Sequence, residues 1–213
     1  MPLTVPSPPR TQVAAATVGS VTTILLARHA ETDWNRDRRW QGHADPSLNA
    51  HGREQAAELA ERLAGEQLDA IYASDLRRAA ETAGAVGAVH GLDVVTDEAL
   101  REIDVGEWAG LTTAEIEARY PAGFARHVAG GDGWDNGEPH DRMSERVIGA
   151  VTRIAARHPG GRVLCVLHGG TIRALLAHAE GLDLGEYRRT RRGPANGEVA
   201  AIEVDGASFR RAS

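Results

Sequence analysis

The stretch RVLCVLHGGTIRALLAHAEG, residues 162–181, decides the fold. After Arg162 come five apolar residues in a row, which is typical of a strand buried on both faces. His168 follows directly, and two glycines then let the backbone approach a ligand at the start of a helix. The stretch therefore predicts a strand, a tight turn and a helix, with Gly169 as a backbone contact to a bound ligand.

Strand and helix patterns alternate along the rest of the chain. Further strands are predicted in residues 21–27 (VTTILLA), 69–74 (DAIYAS), the start of 93–102 (DVVTDEALRE) and 198–206 (EVAAIEVDG). Helices are predicted in 53–64 (REQAAELAERLA), with Asn49 as its cap, and in 76–91 (LRRAAETAGAVGAVHG), closing at Gly91. The polar and apolar alternation of residues 198–206 indicates an edge strand. Together these elements predict an α/β layered domain with a mainly parallel sheet.

Polar side chains gather at or shortly after the predicted strand ends. Arg28 and His29 follow the first strand, Glu102 follows the third, and His168 follows the strand at 162–167. Because ligands bind at the carboxyl ends of the strands in such sheets, these residues are expected to meet in one crevice. Taken alone, the Arg28–His29 pair is as compatible with an ordinary surface as with function, and the second strand-end histidine shifts that balance.

Residues 106–146 differ in composition from the segments on either side. The short helical pieces there are interrupted by glycines, two prolines, Trp108 and Trp134. We expect this segment to pass over the crevice and shape the substrate pocket, with the two tryptophans either lining the pocket or packing in the core. The domain is expected to cover residues 21–206, with a loose tail at 1–20 and another at 207–213.

Composition limits the classes of function. The chain has 213 residues and a formal net charge of -6, which disfavours broad binding to nucleic acid. It has one cysteine, no apolar run long enough for a membrane span, and no signal-peptide pattern, so we expect a cytoplasmic protein without a membrane partner. All 24 basic side chains are arginine, and the lack of lysine excludes P-loop, Schiff-base and kinase-type lysine chemistry.

Four motifs carry a family resemblance, namely ARHAETDWN (27–35), SDLRRAAETA (74–83), LREIDVGEWAGLT (100–112) and VLHGG (166–170). In this order they resemble the histidine phosphatase superfamily, in its phosphoglycerate-mutase-like branch. The resemblance implies a three-layer α/β/α sandwich and a phosphomonoesterase that needs no metal or other cofactor. Its partner would be a small phosphorylated substrate, and the oligomeric state stays open, with a homodimer as one candidate.

The resemblance also assigns roles to residues. His29 would be the nucleophile that forms a phosphohistidine, and Glu102 would be the general acid that protonates the leaving alcohol. The groups that would hold the phosphoryl oxygens are Arg28, Arg78, Asn35 and His168, the last of these carrying a charge if it is protonated. The family spacing selects Arg78 rather than Arg77 for the pocket, and WQGHAD supplies Gln41 and Gly42 as substrate contacts.

Two positions depart from the family pattern. Ala30 stands where relatives have glycine, which restricts φ next to the nucleophile. Residues 137–139 read GEP where relatives often read G-E-S, so a hydroxyl is missing at the start of a helix.

Three other interpretations compete with a metal-independent phosphatase. A phosphomutase is the nearest, although Ile103 and Asp104 replace the residues that follow the acid in the family's mutases. A catalytically weak module that binds phosphate esters is a second. A zinc hydrolase, from the H-x-E pattern of His29 and Glu31, is a third, and it lacks the P-C-x-x-C segment that a deaminase needs.

Overall fold

The computed structural model describes residues 20–212, which form one six-stranded sheet with helices on both faces. The strands are β1 (Thr22–Arg28), β2 (Ala70–Ala73), β3 (Val94–Thr96), β4 (Arg162–Leu167), β5 (Val199–Asp205) and β6 (Ser208–Arg211). The helices are α1 (Asp33–Arg36), α2 (Ala50–Leu63), α3 (Arg77–His90), α4 (Thr113–Arg119), α5 (Pro121–Val128), α6 (His140–Arg157), α7 (Gly169–Glu180) and α8 (Leu184–Thr190). The tail predicted at residues 1–20 lies, except for Ser20, outside the described residues.

The strand order is β3-β2-β4-β1-β5-β6. Strands β3, β2, β4 and β1 are mutually parallel, whereas β5 is antiparallel to β1 and β6 is antiparallel to β5. The mainly parallel sheet is therefore confirmed, and the carboxyl ends of β1, β2 and β4 share one edge.

Both faces of the sheet are covered, which confirms the three-layer sandwich. Ile24 and Leu26 of β1 pack in a core with helices α6 and α7, while Leu25 and Ala27 pack in a second core with α2 and α3. Successive side chains of a strand point to opposite faces, so burial on both faces requires the continuous apolar run seen in the sequence. The predicted helix signals also hold, because Asn49 accepts a hydrogen bond from the Gly52 N–H at 2.7 Å and Gly91 ends α3 with a φ of 65°.

The C-terminal predictions need two corrections. Strand β5 is not an edge strand, because it pairs with β1 on one side and β6 on the other. Its alternation reflects one face buried at Ile202 and Val204 and the other half-buried, and it carries no information about neighbouring strands. The tail expected at 207–213 contains β6, which Gly206, with a φ of 58°, joins to β5 by a tight turn.

The segment 106–146 is mostly helical. It contains a 3-10 turn at Gly106–Trp108, helices α4 and α5, an irregular stretch, and the first two turns of α6. Pro139 is the N-cap residue of α6, and the carboxylate of Asp132 accepts a hydrogen bond from the His140 N–H at 2.9 Å. Asp132 therefore supplies the cap that the missing hydroxyl of the GEP sequence cannot. Among the described residues, no helix combines the length and the apolarity needed to cross a bilayer.

Candidate active site

His29 lies immediately after β1, and its imidazole is almost completely buried. Its Nδ1 lies 2.7 Å from the carbonyl oxygen of Ala30, which places a proton on Nδ1 and a lone pair on Nε2. Burial and the nearby charges of Arg78 and Arg28 hold the pKa of His29 well below its ordinary value. The ring is therefore neutral at neutral pH, and its Nε2 carries a free lone pair.

Ala30 fits the loop after β1 without strain. The described residues contain a single non-glycine residue with positive φ, Arg38, so the backbone at Ala30 does not need glycine. The Ala30 N–H donates to the Thr82 hydroxyl at 3.0 Å, and its methyl group packs with Leu48 and Ala56. The departure from the family pattern leaves the backbone next to His29 well supported.

His168 lies behind His29 at the end of β4. The two ring centroids are 5.2 Å apart, and His168 is fully buried. Its Nδ1 accepts a hydrogen bond from Arg78 Nε at 3.3 Å, so the neutral ring carries its proton on Nε2. Burial, followed by the charges of Arg78, His29 and Arg28, holds the pKa of His168 well below its ordinary value. The neutral His168 ring therefore contributes an N–H donor. The protonated, charged ring that the sequence analysis considered would require a bound anion nearby.

Two buried donors in this region lack a partner among the described residues. They are Nε2 of His168 and Nε of Arg28. A buried donor left unsatisfied costs about 1–3 kcal/mol, so such groups usually mark a binding site. A ligand with several acceptor oxygens would satisfy both.

Arg78 is the buried member of the Arg77–Arg78 pair. Its terminal nitrogens donate to the carbonyl oxygens of Ala44 at 2.7 Å and Gly42 at 2.8 Å, whereas the side chain of Arg77 is 62% exposed. Burial lowers the pKa of Arg78 to about 10, so it remains charged at neutral pH. Gly42 adopts a φ of 50°, and a Cβ there would lie 2.7 Å from Val105, so only glycine fits. The Gly42 carbonyl oxygen helps to orient Arg78 by accepting the hydrogen bond from its guanidinium.

Glu102 lines the same cavity as His29 and is bound to the start of α7. Its Oε2 accepts from the Gly170 N–H at 3.1 Å, and its Oε1 accepts from the Ile103 N–H at 2.9 Å. As the sequence predicts, Glu102 follows the third strand in a loop; β3 ends at Thr96, and a 3-10 turn at Glu98–Leu100 lies between them.

Arg146 of α6 fixes the backbone that carries Glu102. Its guanidinium donates to the carbonyl oxygens of Ala99, Arg101 and Glu102 at 2.7–3.0 Å. It also forms a bidentate ion pair with Glu138, with distances of 2.6 and 2.7 Å. Sequence reasoning missed this residue, because a charged side chain on a helix is usually solvated.

These residues surround a cavity of about 590 Å³. Of the residues predicted from the sequence, those on its wall are Arg28, His29, Asn35, Gln41, Gly42, Arg78 and Glu102. His168 and Gly169 lie behind the wall, and Gly170 lines the cavity instead. Asn35 Oδ1 accepts from the Thr32 N–H at 3.1 Å, which leaves its amide nitrogen as the donor.

The two tryptophans have different positions. Trp134 lies on the cavity wall, and its indole N–H donates to the Glu138 carbonyl at 2.8 Å. Trp108 is fully buried and packs edge-on against Trp134, so it belongs to the core. Glu31, the second residue of the H-x-E pattern, accepts a hydrogen bond from the Asn49 amide at 2.9 Å. Within residues 20–212, no three His, Cys, Asp or Glu side chains are grouped as a metal site requires.

A family model described as "Histidine phosphatase superfamily (branch 1)" matches residues 24–212. The chain belongs to this superfamily. The family predicted from the four motifs is therefore confirmed.

Relatives of this histidine phosphatase include both mutase-like proteins and phosphatases. The chain is 41% identical over 161 residues to phosphoglycerate mutase-like protein 4 of Arabidopsis thaliana, which covers 73% of this chain and 70% of the relative. It is 35% identical over 166 residues to phosphoserine phosphatase 1 of Hydrogenobacter thermophilus, covering 77% and 79%. Among solved structures, a mycobacterial glucosyl-3-phosphoglycerate phosphatase in complex with VO3 superposes with a TM-score of 0.81 at 33% identity, covering 89% of this chain and 96% of that one. The prediction of a histidine-type phosphatase is confirmed at this level.

Several wall residues of this histidine phosphatase were missed by sequence reasoning. The basic and aromatic ones are Arg38, Arg39, Trp40, His127, His140, Arg173, Arg188 and Arg189. Two of them had a usable signal: Trp40 directly precedes Gln41 in WQGHAD, and Arg173 is four residues after Gly169 and therefore on the same face of α7. The others come from segments whose approach to the cavity depends on tertiary packing.

Proposed function

We propose that the chain is a phosphomonoesterase that hydrolyses a small phosphorylated metabolite through a phosphohistidine on His29. The observation that carries the proposal is the neutral His29 ring, with Nε2 unprotonated, beside the two unsatisfied donors of Arg28 and His168. A phosphoryl group attacked by Nε2 would present its oxygens to these donors. We also propose that the protein acts in the cytoplasm.

The reaction has two steps. In the first, the lone pair of His29 Nε2 forms a bond to phosphorus, the bond from phosphorus to the ester oxygen breaks, and Glu102 gives its proton to the departing alcohol. In the second, the Glu102 carboxylate takes a proton from water, whose oxygen attacks phosphorus and releases His29 and inorganic phosphate.

The arginines stabilise charge rather than transfer protons. Arg78 remains charged at neutral pH, and Arg28 places a second guanidinium at the same edge of the sheet. Fixed positive groups of this kind stabilise the negative charge that spreads over the transferring phosphoryl oxygens. Arg78 is held in place before the substrate arrives by its own hydrogen bonds to two backbone carbonyl oxygens.

Rapid quench after mixing with ³²P-labelled substrate tests the proposal. We expect an adduct that is labile in acid and stable in base, located on His29, and lost together with turnover in His29→Ala. The matched control is His51→Ala, since His51 is exposed on α2 and lies outside the cavity. Label on a serine or aspartate, or near-normal turnover in His29→Ala, would contradict the mechanism.

The same experiment separates the competing functions. A hydrolase releases inorganic phosphate in proportion to substrate consumed. A phosphomutase would return the phosphoryl group to a second hydroxyl with little phosphate released, and a binding module would show neither turnover nor adduct.

A further inference from the structure

Three arginines form a second basic surface on the cavity wall. We call Arg173 of α7 together with Arg188 and Arg189 of α8 the arginine wall. Arg173 lies next to the proposed phosphoryl site, because a Cβ on Gly169 would be 3.7 Å from both the Arg173 and the Arg28 guanidinium groups. The arginine wall therefore extends the positive surface from Arg28 towards α8.

No carboxylate among residues 20–212 forms an ion pair with the arginine wall. Arg173 forms no hydrogen bond or ion pair with any of residues 20–212, and its guanidinium lies against Gly193, where a Cβ would be 2.5 Å from Nε. Arg188 and Arg189 donate to the backbone carbonyls of Gly130 and Ala129, at 3.3 Å each. These contacts orient the three side chains and leave their charge available.

The charge balance of the cavity is opposite to that of the chain. Its described lining contains seven arginines and one carboxylate, Glu102, although the formal net charge of the chain is -6. Concentrating one sign of charge in a cleft attracts ligands of the other sign. A single phosphate monoester would engage the arginines beside His29 and leave the arginine wall unused.

The side chains next to the arginine wall show the effect of its field. Arg188 lies 2.9 Å from Nδ1 of His127, and burial together with the charge of Arg188 lowers the pKa of His127 to about 4. His127 is therefore neutral at neutral pH and adds no competing charge. The nearby Asp132 is bound to His140 and caps α6, and it offsets only part of the charge of Arg188.

We infer that the arginine wall binds a second anionic group of the substrate, so that the substrate is a phosphomonoester bearing also a carboxylate or a second phosphate. This inference rests on the proposed function, because it takes the first phosphoryl group to lie at His29. Guanidinium groups bind carboxylate and phosphate with paired N–H donors, so both chemistries fit. A cavity of about 590 Å³ suits a small metabolite that spans the two sites.

Matched substrate pairs test this inference. The pair 3-phosphoglycerate and glycerol 3-phosphate differs by a carboxylate, and the pair fructose 1,6-bisphosphate and fructose 6-phosphate differs by a second phosphate. We expect the wild type to favour the more highly charged member of at least one pair by tenfold or more in kcat/KM for phosphate release. The pair that responds identifies the second group.

The variants Arg173→Gln and Arg188→Gln should each lower that preference at least fivefold, and Arg173→Lys should restore part of it. The control is Arg191→Gln, because Arg191 is 59% exposed and lies outside the cavity, and it should keep the preference. Thermal unfolding of every variant identifies any loss of folding.

Three results would overturn the inference while leaving the proposed function intact. The first is hydrolysis of all four substrates by the wild type without preference. The second is a preference that survives in both glutamine variants. The third is a fall in kcat/KM by the same factor for both members of a pair, which would place Arg173 in the phosphoryl site. Absence of hydrolysis for every substrate, with no adduct on His29, would instead refute the proposed function.

Discussion

A methyl group added at Gly170 should displace Glu102 without harming the fold. A Cβ at this position would overlap Glu102 Oε1 and lie 3.2 Å from Cδ. To regain ordinary contact, the carboxyl group has to move by about 1 Å. Because Glu102 is a flexible side chain bordering a cavity, it can move, and Gly170 does not have a positive φ that would exclude alanine.

The expected loss of activity depends on the leaving group of the substrate. A displacement of about 1 Å costs on the order of 100-fold in a catalytic step, and general acid catalysis supplies roughly 100- to 10,000-fold in total. For Gly170→Ala we therefore expect kcat/KM to fall about 100-fold for glycerol 3-phosphate, whose alkoxide needs a proton. For p-nitrophenyl phosphate, whose leaving group needs little protonation, we expect a fall of less than about fivefold.

Stability should change little in Gly170→Ala. The lost hydrogen bond to Glu102 costs about 1 kcal/mol, and replacing glycine by alanine in a helix returns up to about 1 kcal/mol. The matched control is Gly84→Ala, because Gly84 is an exposed glycine within α3 and a Cβ there meets no atom within 4 Å. It should stabilise the protein slightly and leave both substrates unaffected.

A double-mutant cycle with Glu102→Gln completes the experiment. If Gly170→Ala acts through the acid, it should have little further effect once Glu102 is glutamine. An equal loss for both substrates, or an undiminished effect in the Glu102→Gln background, would refute the reasoning.

Two further predictions concern the groups around the site. In ¹³C-NMR titrations of the ligand-free protein, the rings of His29 and His168 should stay neutral at pH 6.5, because burial and the arginines lower both pKa values. The unfolded chain then binds more protons, so the free energy of unfolding should decrease as the pH falls below about 6.5; a midpoint at or above 6.5 for either ring would contradict this. Arg146→Met should destabilise the protein by about 3 kcal/mol in urea unfolding, since it leaves Glu138 partly buried without its partner. It should also reduce kcat/KM more for glycerol 3-phosphate than for p-nitrophenyl phosphate, because the backbone of Glu102 loses its anchor, and an equal reduction would argue against this role.

The sequence was most informative where one local pattern had one structural cause. The centre of β1, residues 24–27, is apolar at every position because both of its faces are covered, and α3 ends at Gly91 because the left-handed conformation there favours glycine. The edge strand was misassigned because alternation depends on which face is buried, whereas the position of β5 in the sheet depends on the hairpin with β6.

The site was predictable where strand ends define it and unpredictable where tertiary packing does. His29 and His168 follow β1 and β4 directly, so topology brings them together. Arg188 and Arg146 lie on helices, where an arginine is more often solvated, and only the packing of α6 and α8 against the cavity gives them partners. Arg173 could have been found from its spacing to Gly169, because both residues lie on α7. Arg188 could not, because no motif lies on α8.

The first turn of α7 has a consequence for how this protein can diverge. Within six residues, His168 contacts the proposed nucleophile, Gly170 contacts the proposed acid, and Arg173 belongs to the arginine wall. Inserting or deleting one residue there would rotate every later side chain by about 100° around the helix axis. A substitution at Arg173 would therefore alter one contact at a time, whereas a change of length in this turn would displace every side chain that follows it.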